Sequence, residues 1–97
     1  MPAYLIAQVD IHDEATYAEY RKLVPGTLEP FGGRFVVRGG ALETLEGTWQ
    51  PQRLVVLEFD SVERAKAWLA SPGYAHARSL RHAAAHTEMI VVEGAPA

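Results

Sequence analysis

The sequence predicts an α+β fold of order βαββαβ, an antiparallel sheet with its helices on one face. Three observations point there. Four short runs rich in aliphatic and β-branched residues, near residues 4–11, 34–45, 53–59 and 88–93, read as strands. Two intervening stretches repeat apolar residues at helical spacing behind residues suited to capping. At 97 residues, the chain is about the length of one domain, and a single domain spanning 1–97 is expected.

Taken in order, Tyr4-Leu5-Ile6-Ala7-Gln8-Val9-Asp10-Ile11 is the first strand, apolar on both alternating faces until Gln8 and Asp10. Asp13 stands where an N-cap is wanted, and Tyr17, Tyr20, Val24 and Leu28 follow at helical spacing. Pro25 is expected to kink or break that helix, because its ring removes a donor and crowds the preceding turn. The second strand starts at Arg34 or Phe35 and is expected to run past Gly39-Gly40 toward Leu45, the glycines marking a bulge or sharp bend, or a place where another backbone approaches. A loop through Trp49 and Pro51 leads to the third strand, Arg53-Leu54-Val55-Val56-Leu57-Glu58-Phe59. Asp60 and Glu63 have the spacing of a capping box before a helix through Ala65, Trp68 and Leu69. Ser71-Pro72 restarts the helix, which is expected to reach about Ala85. The last strand is Glu88-Met89-Ile90-Val91-Val92-Glu93.

This order is the ferredoxin-like plan, and right-handed crossovers put both helical connections on one face of the sheet. The strands do not alternate as a sheet with one wet face should. Leu54 and Val56 oppose Val55, Leu57 and Phe59; Tyr4 and Ile6 oppose Leu5, Ala7 and Val9; Ile90 and Val92 oppose Met89 and Val91. Helices cover one side only, so the sequence predicts a homodimer packed through sheet faces. Trp49, in a polar loop, is an expected interface residue.

Composition narrows the classes of function. There is no cysteine, hence no disulfide framework or thiolate nucleophile. The net charge of −3 argues against nucleic acid as a partner, since phosphate contacts demand a basic face. No apolar run approaches a membrane span, and no charged n-region with a long apolar core follows Met1-Pro2-Ala3, so no membrane association and a cytoplasmic location are expected.

Tyr17-Ala18-Glu19-Tyr20, Gly32-Gly33-Arg34-Phe35, Arg38-Gly39-Gly40, Glu46-Gly47, the run from Arg53 to Phe59, Ser61, Ser71-Pro72-Gly73-Tyr74 and Arg81 together resemble the domain-of-unknown-function family numbered 1330. The resemblance covers roughly Tyr4 to Gly94. It implies a dimeric α+β barrel of the ferredoxin-like group, and it implies no particular activity, because relatives in that group range from cofactor-free oxygenases and lactone isomerases to heme enzymes and ligand sensors. Gly73 and His86 depart from the family's pattern, where an acidic residue and an aspartate are expected.

Ionisable residues in apolar strands are the candidates for chemistry. Arg38 is either a hook for the carboxylate or enolate of a small molecule or an ion-pair staple with Glu58. Glu58 is either a general base or a salt-bridge acceptor for Arg38, Arg53 or Arg81. His86 is a second candidate for moving a proton. Tyr17, Tyr20, Trp68 and Arg81 are the expected ligand-binding residues, with a place in the core as the alternative for the aromatic ones. His82 and His86 share a helical face if the helix persists that far, but a third ligand for a metal is missing. No cofactor or metal is expected. The reading is a small acidic or carbonyl-bearing ligand between sheet and helices, bound by a cofactor-free enzyme of proton transfer or oxygenation, or by a non-catalytic sensing or interaction module.

Overall fold

The computed structural model describes residues 1–96. Four strands, β1 (Ala3–Ile11), β2 (Arg34–Arg38), β3 (Arg53–Phe59) and β4 (Ala85–Glu93), form one sheet in the order β2-β3-β1-β4, every pair antiparallel. Helices α1 (Glu14–Leu28), α2 (Val62–Ala70) and α3 (Pro72–Ala84) connect them, and a single 3₁₀ turn (Glu29–Phe31) follows α1. This is the expected ferredoxin-like arrangement.

Capping sets the helix starts. Asp13 accepts from the Thr16 amide at 3.1 Å and from the Thr16 hydroxyl at 2.8 Å, and these bonds hold its carboxyl below the ordinary aspartate range. The cap of α2 is Ser61, one residue beyond the predicted Asp60; it accepts from the Arg64 amide, and with arginine at the third helical position the predicted reciprocal capping box does not form. Ser71 ends α2 and opens α3, accepting from the Tyr74 amide while its hydroxyl donates to the Trp68 carbonyl. Pro72 sits in the first turn, where its missing N–H costs nothing.

The core lies between the helices and one face of the sheet. Leu5, Ala7, Val9, Leu57 and Phe59 point inward against Tyr17, Tyr20, Val24 and Leu28 of α1, Ala65 and Trp68 of α2, and Tyr74, Ala77 and Ala84 of α3. Trp68 is at the centre, its ring 4.1 Å from that of Tyr74 and 5.8 Å from that of Phe59, and its indole N–H donates to Thr27 Oγ1 at 3.0 Å. The opposite face carries Tyr4, Ile6, Leu54, Val56, Ile90 and Val92, with Ile90 and Val92 well exposed.

Four expectations are corrected. Pro25 does not break α1, which continues to Leu28. β2 stops at Arg38, and residues 39–52 form no strand. The irregularity of β2 falls between Phe35 and Val37, ahead of the glycine pair. β4 starts at Ala85, three residues early, so His82 closes α3 while His86 belongs to the strand, and the two share no helical face.

Gly33 tests the packing. A Cβ there would lie 2.6 Å from Phe59 Cε1 and 2.8 Å from Leu28 Cδ2, and its backbone is outside the left-handed region, so the obstacle is steric alone. Gly33→Ala is expected to destabilise the fold by about 1–3 kcal/mol, read from chemical denaturation. An unchanged midpoint and slope would contradict this packing.

Candidate functional site

A narrow cavity opens between α1 and the inner face of the sheet. About 440 Å³ is empty of atoms once its open mouth is counted, and the free core within it is about 30 Å³. Its walls are apolar: Leu5, Ala7 and Val9 of β1, Val55 and Leu57 of β3, Met89 of β4, Val24 of α1 and the rings of Tyr17, Tyr20, Phe35 and Trp68. Three arginines also line it: Arg38 and Arg53 bring their guanidinium groups, and Arg21, an exposed residue of α1, brings its backbone carbonyl. Among the described residues no carboxylate lines it.

Arg38 reaches this cavity because of the bulge in β2. Phe35 pairs with Leu57 and Val37 with Val56, so β2 uses two residues where β3 uses one. Without the extra residue, positions 35 and 38 would face opposite sides of the sheet. With it, Phe35 opposite Leu57 and Arg38 opposite Val55 both turn toward the helices. The Arg38 guanidinium carbon then stands 4.1 Å from the centre of the Phe35 ring, a cation–π contact that steadies its position.

Its second anchor comes from α1. Arg38 Nη2 donates to the Arg21 carbonyl at 2.9 Å. In an uninterrupted helix that carbonyl would accept from the amide of residue 25, four positions on. Residue 25 is proline and has no amide hydrogen. The residue that looks like a helix breaker thus leaves open the acceptor that holds Arg38.

Arg53, on the inner side of β3, completes the charged edge. Its guanidinium carbon is 5.4 Å from the Tyr17 ring centre, and its Nε is buried with no hydrogen-bond partner. The sequence draws attention to Arg38 and away from Arg53. Arg53 and Val55 are two apart in a strand and share a face, a signal that becomes readable once the core face of β3 is known.

Tyr20 continues the site into the core. Its hydroxyl is 2.8 Å from that of Tyr74, which accepts from Arg81 Nε at 3.3 Å. Arg81 is buried, and its Nη2 also lies 3.4 Å from His82 Nε2. Of the ligand-binding candidates, Tyr17, Tyr20 and Trp68 therefore line the cavity, and Arg81 stands behind it through Tyr74.

Glu58 and His86 are elsewhere. Glu58 lies on the opposite face of β3 and accepts from both Nε and Nη2 of Arg34, its cross-strand partner. His86 is exposed and pairs in register with Asp10. Arg38 and Glu58 neither pair with each other nor share a face.

Burial pushes the Tyr20 hydroxyl well above the ordinary tyrosine range; the neighbouring Tyr74 adds to this, and the charge of Arg81 opposes it. In the unfolded chain Tyr20 ionises near about pH 10, whereas in the fold it keeps its proton. Stability contributed by the neutral phenol is thus intact below that pH and lost as pH rises beyond it. Urea unfolding at about pH 9 and about pH 11 is expected to show a smaller alkaline loss for Tyr20→Phe than for the parent chain. Equal losses would contradict the assignment.

Known proteins share this architecture. A family model described as "Domain of unknown function (DUF1330)" matches residues 2–95. No curated protein matches the chain. Among solved structures, the RPA0582 protein of unknown function from Rhodopseudomonas palustris superposes with a TM-score of 0.80 at 20% identity, covering 99% of this chain and 84% of that one. A dimeric ferredoxin-like protein of unknown function from Jannaschia sp. CCS1 gives 0.71 at 14% identity, covering 97% and 100%. SnoaB, a cofactor-independent oxygenase from Streptomyces nogalater, gives 0.59 at 15% identity, covering 99% and 95%. At these identities the likeness establishes the ferredoxin-like fold. The family match spans nearly the whole chain, and the protein belongs to the DUF1330 domain family.

Proposed function

We propose that the protein binds a small acidic or carbonyl-bearing molecule in the cavity between sheet and helices. One observation carries this reading: two guanidinium groups, those of Arg38 and Arg53, stand at an otherwise apolar cavity, with no carboxylate among the described lining residues to neutralise them. Arg38, braced on Phe35 and the Arg21 carbonyl, would hold the oxygen of the ligand. Tyr17, Tyr20 and Trp68 would surround its apolar part. Because the free core is small, the ligand would enter by parting the side chains at the mouth.

The likeness in fold to a cofactor-independent oxygenase favours a second, catalytic version of the same site. There a ligand that ionises to an enolate would be stabilised by the guanidinium of Arg38, in support of proton transfer or oxygenation without a cofactor. Glu58 and His86, which do not line the cavity, have no part in that version. The binding reading takes precedence, because no His or carboxylate among the described residues lines the cavity to accept the proton.

A thermal-shift screen of small carboxylates, phenols and lactones identifies a ligand, and calorimetry then measures it. Arg38→Ala is expected to weaken that ligand by about tenfold or more, the usual worth of a charge-assisted hydrogen bond. Undiminished affinity would remove the reading. Oxygen uptake on adding the ligand separates the catalytic version from simple binding.

The homodimer is part of the same proposal. Tyr4, Ile6, Leu54, Val56, Ile90 and Val92 form an apolar sheet face that none of the helices covers, and dimeric ferredoxin-like proteins stand among the structural neighbours. Trp49, exposed and donating its indole N–H to Gln8 on that face, would extend the contact. Size-exclusion chromatography with light scattering is expected to return twice the chain mass, and the single chain mass for Ile90→Glu. A monomeric parent chain at micromolar concentration would exclude the dimer.

A further inference from the structure

We propose that Arg53, seated in a slot that only glycine at position 39 leaves open, is the residue that selects the ligand, and that the ligand class is a monocarboxylate with an apolar tail. This inference rests on the binding reading above and assigns the specificity of that cavity.

The slot is visible in the backbone. Gly39 has φ +66°, its amide donates to the Leu54 carbonyl at 2.9 Å, and a Cβ on it would overlap Nη1 and Cζ of Arg53. The left-handed backbone and the missing side chain serve one outcome: the guanidinium of Arg53 lies against the strand end, with the Tyr17 ring near it.

What the slot does not supply is an acceptor. The one ion pair of the described residues joins Arg34 and Glu58 on the other face of the sheet, and Arg53 Nε is buried without a partner. A buried unpaired donor is costly, and because Arg53 lines the cavity a ligand oxygen bound to its guanidinium would offset part of that cost. Arg53 and Arg38 are diagonal neighbours on β3 and β2, so both donors border the same opening.

The chemistry favours a carboxylate. Each guanidinium has an aromatic ring beside it, Phe35 or Tyr17, and presents a planar fork matched to a planar carboxylate. The walls beyond are aliphatic and aromatic, which suits an apolar tail and excludes a second charge. No glycine-rich nest of backbone amides, the usual cradle of a phosphate, lines the cavity among the described residues.

The test uses benzoate and hexanoate as carboxylate probes, with benzamide and phenyl phosphate for comparison. Each is titrated by calorimetry into the parent chain, Arg38→Ala, Arg53→Lys, Gly39→Ala and the double variant of the last two. Circular dichroism checks every variant; should those carrying Gly39→Ala fail to fold, Arg53→Lys decides. The expected result is that the parent chain takes a carboxylate in preference to both comparison probes. Arg53→Lys and Gly39→Ala should each weaken it by about tenfold, since lysine lacks the fork. The double variant should be no weaker than either single one, because both changes act on one group. Loss in Arg38→Ala with full affinity in Arg53→Lys overturns this inference and leaves the binding reading standing. So does benzamide or phenyl phosphate binding as tightly as benzoate, if Arg38→Ala still weakens it. Failure of every probe to bind, or indifference to both arginines, overturns both.

Discussion

One extra residue in β2 decides what this sheet can do. Side chains in a strand alternate faces, so a phenylalanine and an arginine three positions apart cannot share a side unless the ladder slips between them. The bulge between Phe35 and Val37 provides that slip, and the Arg38 charge passes from the outer surface to the helix-covered one. β3 has no such slip, so Glu58 stays outward and is taken by Arg34 across the pair. An arginine and a carboxylate that look like partners in the sequence are thereby separated by the thickness of the sheet. The cavity keeps its positive edge because the bulge keeps the two apart.

Two residues that disfavour regular structure become intelligible beside these arginines. Pro25 removes a helix hydrogen bond, yet the freed Arg21 carbonyl is not orphaned: it accepts from Arg38, so the polar group stays satisfied and the helix stays whole. Gly39 follows the last residue of β2 in a left-handed conformation and leaves the space that Arg53 fills. In each case the backbone gives up something local, a hydrogen bond or a side chain, and a guanidinium is positioned as a result. That is the physical sense of the stretch Arg34-Phe35-Val36-Val37-Arg38-Gly39-Gly40. The glycine that follows Arg38 makes room for a different arginine, Arg53, distant along the chain but adjacent across the β2–β3 ladder.

Much of the architecture was legible because it rests on local signals. The continuous aliphatic run of β3, the helical spacing of Tyr17, Tyr20, Val24 and Leu28, and the Ser71-Pro72 restart each depend on a few neighbouring residues. The apolar character of both sheet faces was legible for the same reason. What escaped depends on partners. A bulge is a mismatch between two strands, and nothing within Phe35-Val36-Val37 reports how β3 will pair with it. The carbonyl that Pro25 frees is taken up by a guanidinium from another element, which no helical pattern announces. The boundary between α3 and β4 falls inside an alanine run, where propensity favours helix and pairing with β1 draws Ala85 into the sheet. Glu58 looked like a candidate base because the facing of its strand was unknown, while Arg53, at a strand end, stood out only as a possible partner for Glu58.

The charge balance adds a last constraint. The chain as a whole is acidic, with a net charge of −3, yet the guanidinium groups of Arg38 and Arg53 gather at one opening. A global field of that sign offers little long-range attraction to an anion, and salt screens what remains within about 10 Å. Recognition therefore has to come from short-range geometry: planar donors steadied by rings, at the edge of an apolar space. Gathering like charges also opposes folding, and no carboxylate among the described lining residues offsets it. A bound anion would relieve that repulsion and give the Arg53 donor its missing partner, so the fold and the proposed ligand would be linked: whatever fills the cavity also stabilises the protein around it.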